Sequence, residues 1–126
     1  SIDFHGFTGP FVQYTHARIC SILRKAPELK ELGKQVEISD TEKDLLKQIE
    51  QYPAMIAQAS KEYNPSMICN FVYNLAKSFN GFLVDHSILK AESEELMHMR
   101  LKLCHLTKNV IAHALKMIGI DAPERM

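Results

Sequence analysis

Apolar positions recur along this chain at helical spacing, and nowhere at the alternating spacing of a strand. The last quarter is the clearest case. Leu96, Met99, Leu103, Leu106, Val110, Ala114 and Met117 follow one another at intervals of three or four residues. That spacing predicts a helix from about Glu92 to Ile118 with the seam facing a core. Gly119 ends it and Pro123 prevents its resumption. Near the start, Thr8-Gly9-Pro10 reads as a helix entry, since proline's missing N–H costs nothing in a first turn. A helix from about Gly9 to Lys25 follows, with Val12, Ile19, Ile22, Leu23 and Ala26 on one stripe.

Between these, residues 27–40 are polar and weakly patterned, and read as a loop. Ser39, Asp40 or Thr41 can cap the next helix, and Ser39-x-x-Glu42 fits a capping box; that helix runs to about Tyr52, with Leu45, Leu46 and Ile49 inward. Pro53 is expected to break it and start another, Ala54 to Tyr63. Asn64-Pro65 then opens a long helix to about His86, with Ile68, Phe71 or Val72, Leu75, Phe79 and Phe82 as its core stripe. Gly81 inside it suggests a kink or a close helix contact. The expectation is a single all-α domain over residues 1–126, a helical bundle of about five helices, with 1–8 as an incoming segment.

At 126 residues the chain is one domain in size, and 46% hydrophobic residues suffice for a core. Lys plus Arg and Asp plus Glu are both 15, so the net charge is zero and a general basic coat is excluded. The distribution is uneven: residues 1–36 carry +2, 37–64 carry −3 and 65–126 carry +1. The first and last parts are therefore the anion-facing ones. No run of apolar residues is long enough to span a membrane. Cys20, Cys69 and Cys104 form no CxxC, which suits buried free thiols in a reducing cytoplasm.

Catalytic chemistry finds little support. Glu95-x-x-His98 has the spacing used in di-iron bundles, but no second such motif accompanies it, so a solvated Glu and an edge His is the expectation. No HExxH, phosphate loop or nucleophile elbow is present. His16 and Cys20 are one turn apart without a third partner. The chain is expected to hold no catalytic residue, no metal and no cofactor of its own.

The first helix carries the one constellation of interest. Phe11, Tyr14 and Arg18 line a face that flanks the apolar stripe. Two rings and a guanidinium side by side suit single-stranded nucleic acid, with bases stacking and Arg meeting a phosphate or base edge. Gln13 and His16, further round, could add polar contacts. In the alternative reading, Phe11 and Tyr14 pack at the core edge while Arg18 pairs with a carboxylate.

The stretch Thr8-Gly9-Pro10-Phe11-Val12-Gln13-Tyr14-Thr15-His16-Ala17-Arg18-Ile19-Cys20-Ser21-Ile22 resembles the segment that leads into the C-terminal anticodon-binding domain of arginyl-tRNA synthetases. The ending Gly119-Ile120-Asp121-Ala122-Pro123-Glu124-Arg125-Met126 resembles the family's C-terminus. Asn74-Leu75-Ala76-Lys77-Ser78-Phe79-Asn80 and Arg100-Leu101-Lys102-Leu103-Cys104 are similar to its inner helices. The resemblance implies the all-α "DALR" anticodon-binding fold. It also implies a parent ligase that joins arginine to tRNA using ATP and magnesium, in the cytoplasm. The HIGH-like and KMSKS-like motifs of such enzymes are absent. The chain then reads as a C-terminal piece, attached to its own catalytic domain and inactive alone, which accounts for a start at Ser1.

By the same resemblance, anticodon-loop contacts fall on Phe11, Tyr14, Arg18 and Met126, and more weakly on Phe82. Phe11 stands where the family often has Tyr, and keeps the ring without the hydroxyl. The implied partner is the anticodon loop of arginine tRNA. A rival expectation is a helical protein-interaction module without RNA binding, motivated by neutral charge and by Met97, Met99 and Met117 on the last helix.

Overall fold

The computed structural model describes residues 9–126. The expected incoming segment 1–8 and the cap position Thr8 lie outside the described residues. Among the described residues there are four helices: α1 (Gly9–Lys25), α2 (Asp40–Lys61), α3 (Pro65–Asp85) and α4 (Glu94–Met117). There is no strand among the described residues.

The expected five helices become four because α2 runs through Pro53. Proline removes one main-chain bond and in a helix interior costs about 3 kcal/mol. Tertiary packing on both sides holds the halves in line. Tyr52 is buried and its hydroxyl is hydrogen-bonded to His113 Nδ1 on α4, while Ala59 is buried about two turns further on.

Cross-helix pairs give the directions. Phe11 meets Tyr73, and Arg18 meets Asn80, so α1 runs parallel to α3. Gln48 Nε2 donates to Ser78 Oγ at 2.9 Å, and Ser39 reaches His86, so α2 is antiparallel to α3. Glu42 pairs with Arg100 and Tyr52 with His113, so α2 is parallel to α4. The bundle is up-down-up-down. α3 and α4 each pack on every other helix, whereas α1 and α2 do not touch.

The core follows the predicted stripes on α1 to α3. Val12, Ile19, Leu45, Ile68, Val72, Leu75, Phe79 and Phe82 are all buried. On α4 the expected seam is off by part of a turn. Leu103 and Ala114 are buried, but Met117 is exposed and Leu96, Met99, Leu106 and Val110 are only half-buried. Leu101, Cys104, Thr107, Ile111 and Leu115 hold the centre. A helix packed on three neighbours buries a wide arc, and Cys104 and Thr107 lie within it. The close contact expected at Gly81 is absent, since a Cβ there would meet nothing within 4 Å.

The helix ends are specified locally. Ser39 accepts from Glu42 N and Glu42 Oε1 accepts from Ser39 N, the complete capping box. Asn64 stands at the predicted cap position of α3, though its side chain makes no capping bond. At the end of α4, Gly119 takes φ +76°. Gly119 N–H donates to Lys116 O and Ile120 N–H to Leu115 O, at 3.1 and 2.8 Å, the paired bonds of a Schellman turn. This turn sends the last residues back along α1.

Candidate nucleic-acid interface

Three neighbours claim most of the circumference of α1. Val12 and Ile19 enter the core. Phe11, Thr15 and Arg18 face α3. Gln13, His16 and Arg24 face the C-terminal segment. Between these last two sides Tyr14, Arg18 and Arg24 are exposed, and with Ala17, Ser21, Arg125 and Met126 they line a cleft of about 320 Å³.

Tyr14 is 49% exposed and Met126 71%, so a ring and a thioether stand ready for a planar ligand. Arg18, Arg24 and Arg125 bring three guanidinium groups to the same opening. Arg18 Nη1 donates to Asn80 Oδ1 at 2.7 Å, and Arg24 Nη1 to Glu124 O at 3.2 Å. Each retains further N–H donors for an incoming phosphate or base edge. A chain of zero net charge thus holds a local cationic opening at one face.

Of the residues singled out from sequence, Tyr14, Arg18 and Met126 are brought together although Arg18 and Met126 are far apart in the chain. Arg24 and Arg125 complete the cleft and were missed. Helical spacing from Ser21 was the available signal for Arg24, and adjacency to Met126 that for Arg125.

The remaining candidates lie elsewhere. Phe11 is half-buried outside the cleft, its ring edge-on to Tyr73 at 5.7 Å, and Lys77 Nζ caps the Tyr73 ring at 5.1 Å. This is the core-edge packing of the alternative reading, for Phe11 alone. Arg18 is held by an amide and not by the carboxylate that reading expected. His16 is only 5% exposed, and its Nδ1 donates to Pro123 O at 2.8 Å. Gln13 Nε2 donates to Asp121 O at 2.9 Å. Both serve the tail. Phe82 is fully buried between Phe79 and a stacked His86, so it cannot present its ring to a base.

The other candidate chemistry is structural. His98 is buried and its Nδ1 accepts from Lys30 N at 3.1 Å, which ties the loop after α1 to α4. Glu95 pairs with Lys34 at 3.8 Å. Thus His98 is a core histidine and not the edge residue expected. Among the described residues, no three His, Cys, Asp or Glu side chains converge on a point. Burial pushes the Cys69 thiol up to about 11 and the Cys104 thiol up to about 12. Half-buried Cys20, 3.8 Å from His16 Nδ1, is also raised by burial, so all three thiols are protonated at neutral pH.

An all-helical bundle with an open aromatic and cationic cleft on its first helix presents a surface suited to single-stranded nucleic acid. The chain belongs to the DALR anticodon binding domain family, whose model matches residues 12–126. Over its full length it is 43% identical to the arginine–tRNA ligase of Phocaeicola vulgatus and 43% identical to that of Flavobacterium psychrophilum. It covers 22% and 21% of those relatives, so it spans about a fifth of their length. The arginyl-tRNA synthetase of Thermus thermophilus superposes with a TM-score of 0.86 at 32% identity, over 98% of this chain and 22% of that one.

Proposed function

We propose that this domain binds the anticodon loop of arginine tRNA, within a longer arginine–tRNA ligase that supplies the chemistry. The observation that carries the reading is the single cleft in which Tyr14, Arg18, Arg24, Arg125 and Met126 meet. Anticodon bases are single-stranded and can be splayed from their stack. One base stacks on Tyr14 with Met126 beside it, and the guanidinium groups take phosphates or base edges. Family membership and full-length similarity to arginine–tRNA ligases support the identity of the RNA. The parent enzyme would use ATP and magnesium at a catalytic domain in the cytoplasm. This chain contributes recognition, through a cleft whose charged lining is the guanidinium groups of Arg18, Arg24 and Arg125.

The test is a titration of the chain with arginine tRNA and with a tRNA of different anticodon, at low and moderate salt. Preference for arginine tRNA, weakening as salt rises, is the expected result. Equal affinity for both tRNAs would refute anticodon reading. No binding at either salt would instead favour a protein-docking role.

A further inference from the structure

Three side chains on one stripe of α1 donate to three main-chain oxygens of the C-terminal segment. Gln13 bonds Asp121 O at 2.9 Å, His16 bonds Pro123 O at 2.8 Å and Arg24 bonds Glu124 O at 3.2 Å. A carbonyl oxygen only accepts, so His16 carries its hydrogen on Nδ1. The order of contacts shows the segment running along α1 toward the helix C-terminus. Its next two residues, Arg125 and Met126, therefore arrive at the cleft beside Tyr14 and Arg18. The bonds end at Glu124, and the two residues beyond it, Arg125 and Met126, are exposed.

We infer that Gln13 and His16 are positioning residues for RNA recognition: they touch no RNA, and act by holding residues 121–124 so that Arg125 and Met126 complete the cleft. The inference rests on the RNA-binding reading above. Its physical basis is entropic. A loose tail must be ordered at the moment of binding, at a backbone cost for each residue fixed, whereas a pinned tail meets that cost during folding. His16 suits the task because burial shields its bond from competing water. The Schellman turn at Gly119 starts the tail in the right direction, and the two donors keep it there.

The test compares His16→Leu, His16→Asn and Gln13→Ala, each alone and combined with Arg125→Ala/Met126→Ala. Asparagine places an N–H donor near the position of Nδ1. One readout needs no RNA: the heteronuclear 15N NOE of the Arg125 and Met126 amides. The other is affinity for the arginine tRNA anticodon stem–loop. His16→Leu is expected to lower both, with affinity falling about 10-fold. His16→Asn should restore most of each, and His16→Leu should add little once Arg125 and Met126 are already alanine. Gln13, half-buried at the helix surface, gives the same comparison should His16→Leu lose its helical fold. Unchanged tail NOEs, or a His16→Leu loss that adds in full to the Arg125→Ala/Met126→Ala loss, would overturn the positioning role. Loosened tail NOEs in a chain whose unaltered form binds no RNA would overturn the RNA reading instead, and the role in affinity with it.

Discussion

Arg18 on α1 and Asn80 on α3 are joined by a hydrogen bond of 2.7 Å, guanidinium Nη1 to amide Oδ1. The same amide donates through Nδ2 to Thr15 Oγ1 and to Ala76 O, both at 2.8 Å. Thr15 sends its own hydrogen to Phe11 O at 3.0 Å, which leaves its oxygen to accept. The orientation of Asn80 is therefore fixed from both sides, and Asn80 in turn aims an exposed Arg18. An arm already held in place loses less freedom when it meets an anion.

Asn80→Ala should therefore weaken binding of the anticodon stem–loop several-fold while lowering stability by about 1 kcal/mol. Titration and thermal melting of the same variant separate the two effects. Unchanged affinity would show that the aim of Arg18 is immaterial.

Tyr14 is a surface ring, so its removal touches the ligand and not the fold. Tyr14→Ala should cost about 1–3 kcal/mol of RNA binding, the worth of one stacked base, with helicity and melting unchanged. Tyr14→Phe should keep most of the affinity. Arg125→Ala should instead lower the slope of affinity against salt by about one counterion.

At the end of the bundle where α2 and α4 begin, Glu42 is only 1% exposed yet charged. Burial alone would raise its pKa. The Ser39 N–H at 2.9 Å and Arg100 Nε at 3.0 Å outweigh that and hold the carboxyl below its ordinary 4.5. Arg100 also donates to Ser87 O at 2.7 Å, so the pair ties α2 and α4 to the end of α3. A folded-state value below the unfolded one makes the ionised form favour folding. This contribution is complete above about pH 4.5 and fades as pH falls through the folded value. Urea unfolding at a series of acid pH values should show Glu42→Gln to be less acid-dependent than the parent chain. Glu42→Ala strands Arg100 and should cost about 3–5 kcal/mol at neutral pH.

Tyr63 ends α2 with φ 51°, in the left-handed region, and its side chain is 92% exposed. Tyr63 N–H donates to Ser60 O and Asn64 N–H to Ala59 O, the same paired turn that Gly119 makes. A side chain in this conformation costs about 1–2 kcal/mol, with no contact to offset it. Tyr63→Gly should stabilise the chain by about 1 kcal/mol, part of the relief being lost to glycine's freer unfolded state. A melting temperature that falls would refute the account.

Thr107 lies at the centre of the buried arc of α4, and its Oγ1 is buried without a hydrogen-bond partner among the described residues. Thr107→Val replaces the hydroxyl with a methyl group and should raise stability by about 1 kcal/mol. Denaturant melts at constant slope would measure it.

Much of the fold was legible because its cues are local. The limits of α1, the capping box of α2 and the stop at Gly119 each depend on a few neighbouring residues. The stripe Ile68, Val72, Leu75, Phe79 and Phe82 was legible because α3 buries one continuous face. Pro53 misled, because a helix that proline weakens locally survives through Tyr52 and Ala59, whose packing partners are distant in sequence. The α4 seam misled because a helix enclosed by three others has no single inward direction. Periodicity traces one stripe, and the stripe chosen passed over Leu101, Cys104, Thr107, Ile111 and Leu115.

For the cleft the division is equally clear. The sequence by itself determined an all-α domain and an exposed Tyr14–Arg18 face, since residues three or four apart on a helix must share a side. Only the tertiary structure decided what that face meets. It brought Arg125 and Met126 to Tyr14, turned Gln13 and His16 from surface contacts into donors for the tail, and closed Phe11 against Tyr73. Helical spacing fixes neighbours one turn apart. Contacts between residues more than a hundred positions apart, such as Gln13 and Asp121, depend on how whole helices pack and where the last turn sends the chain.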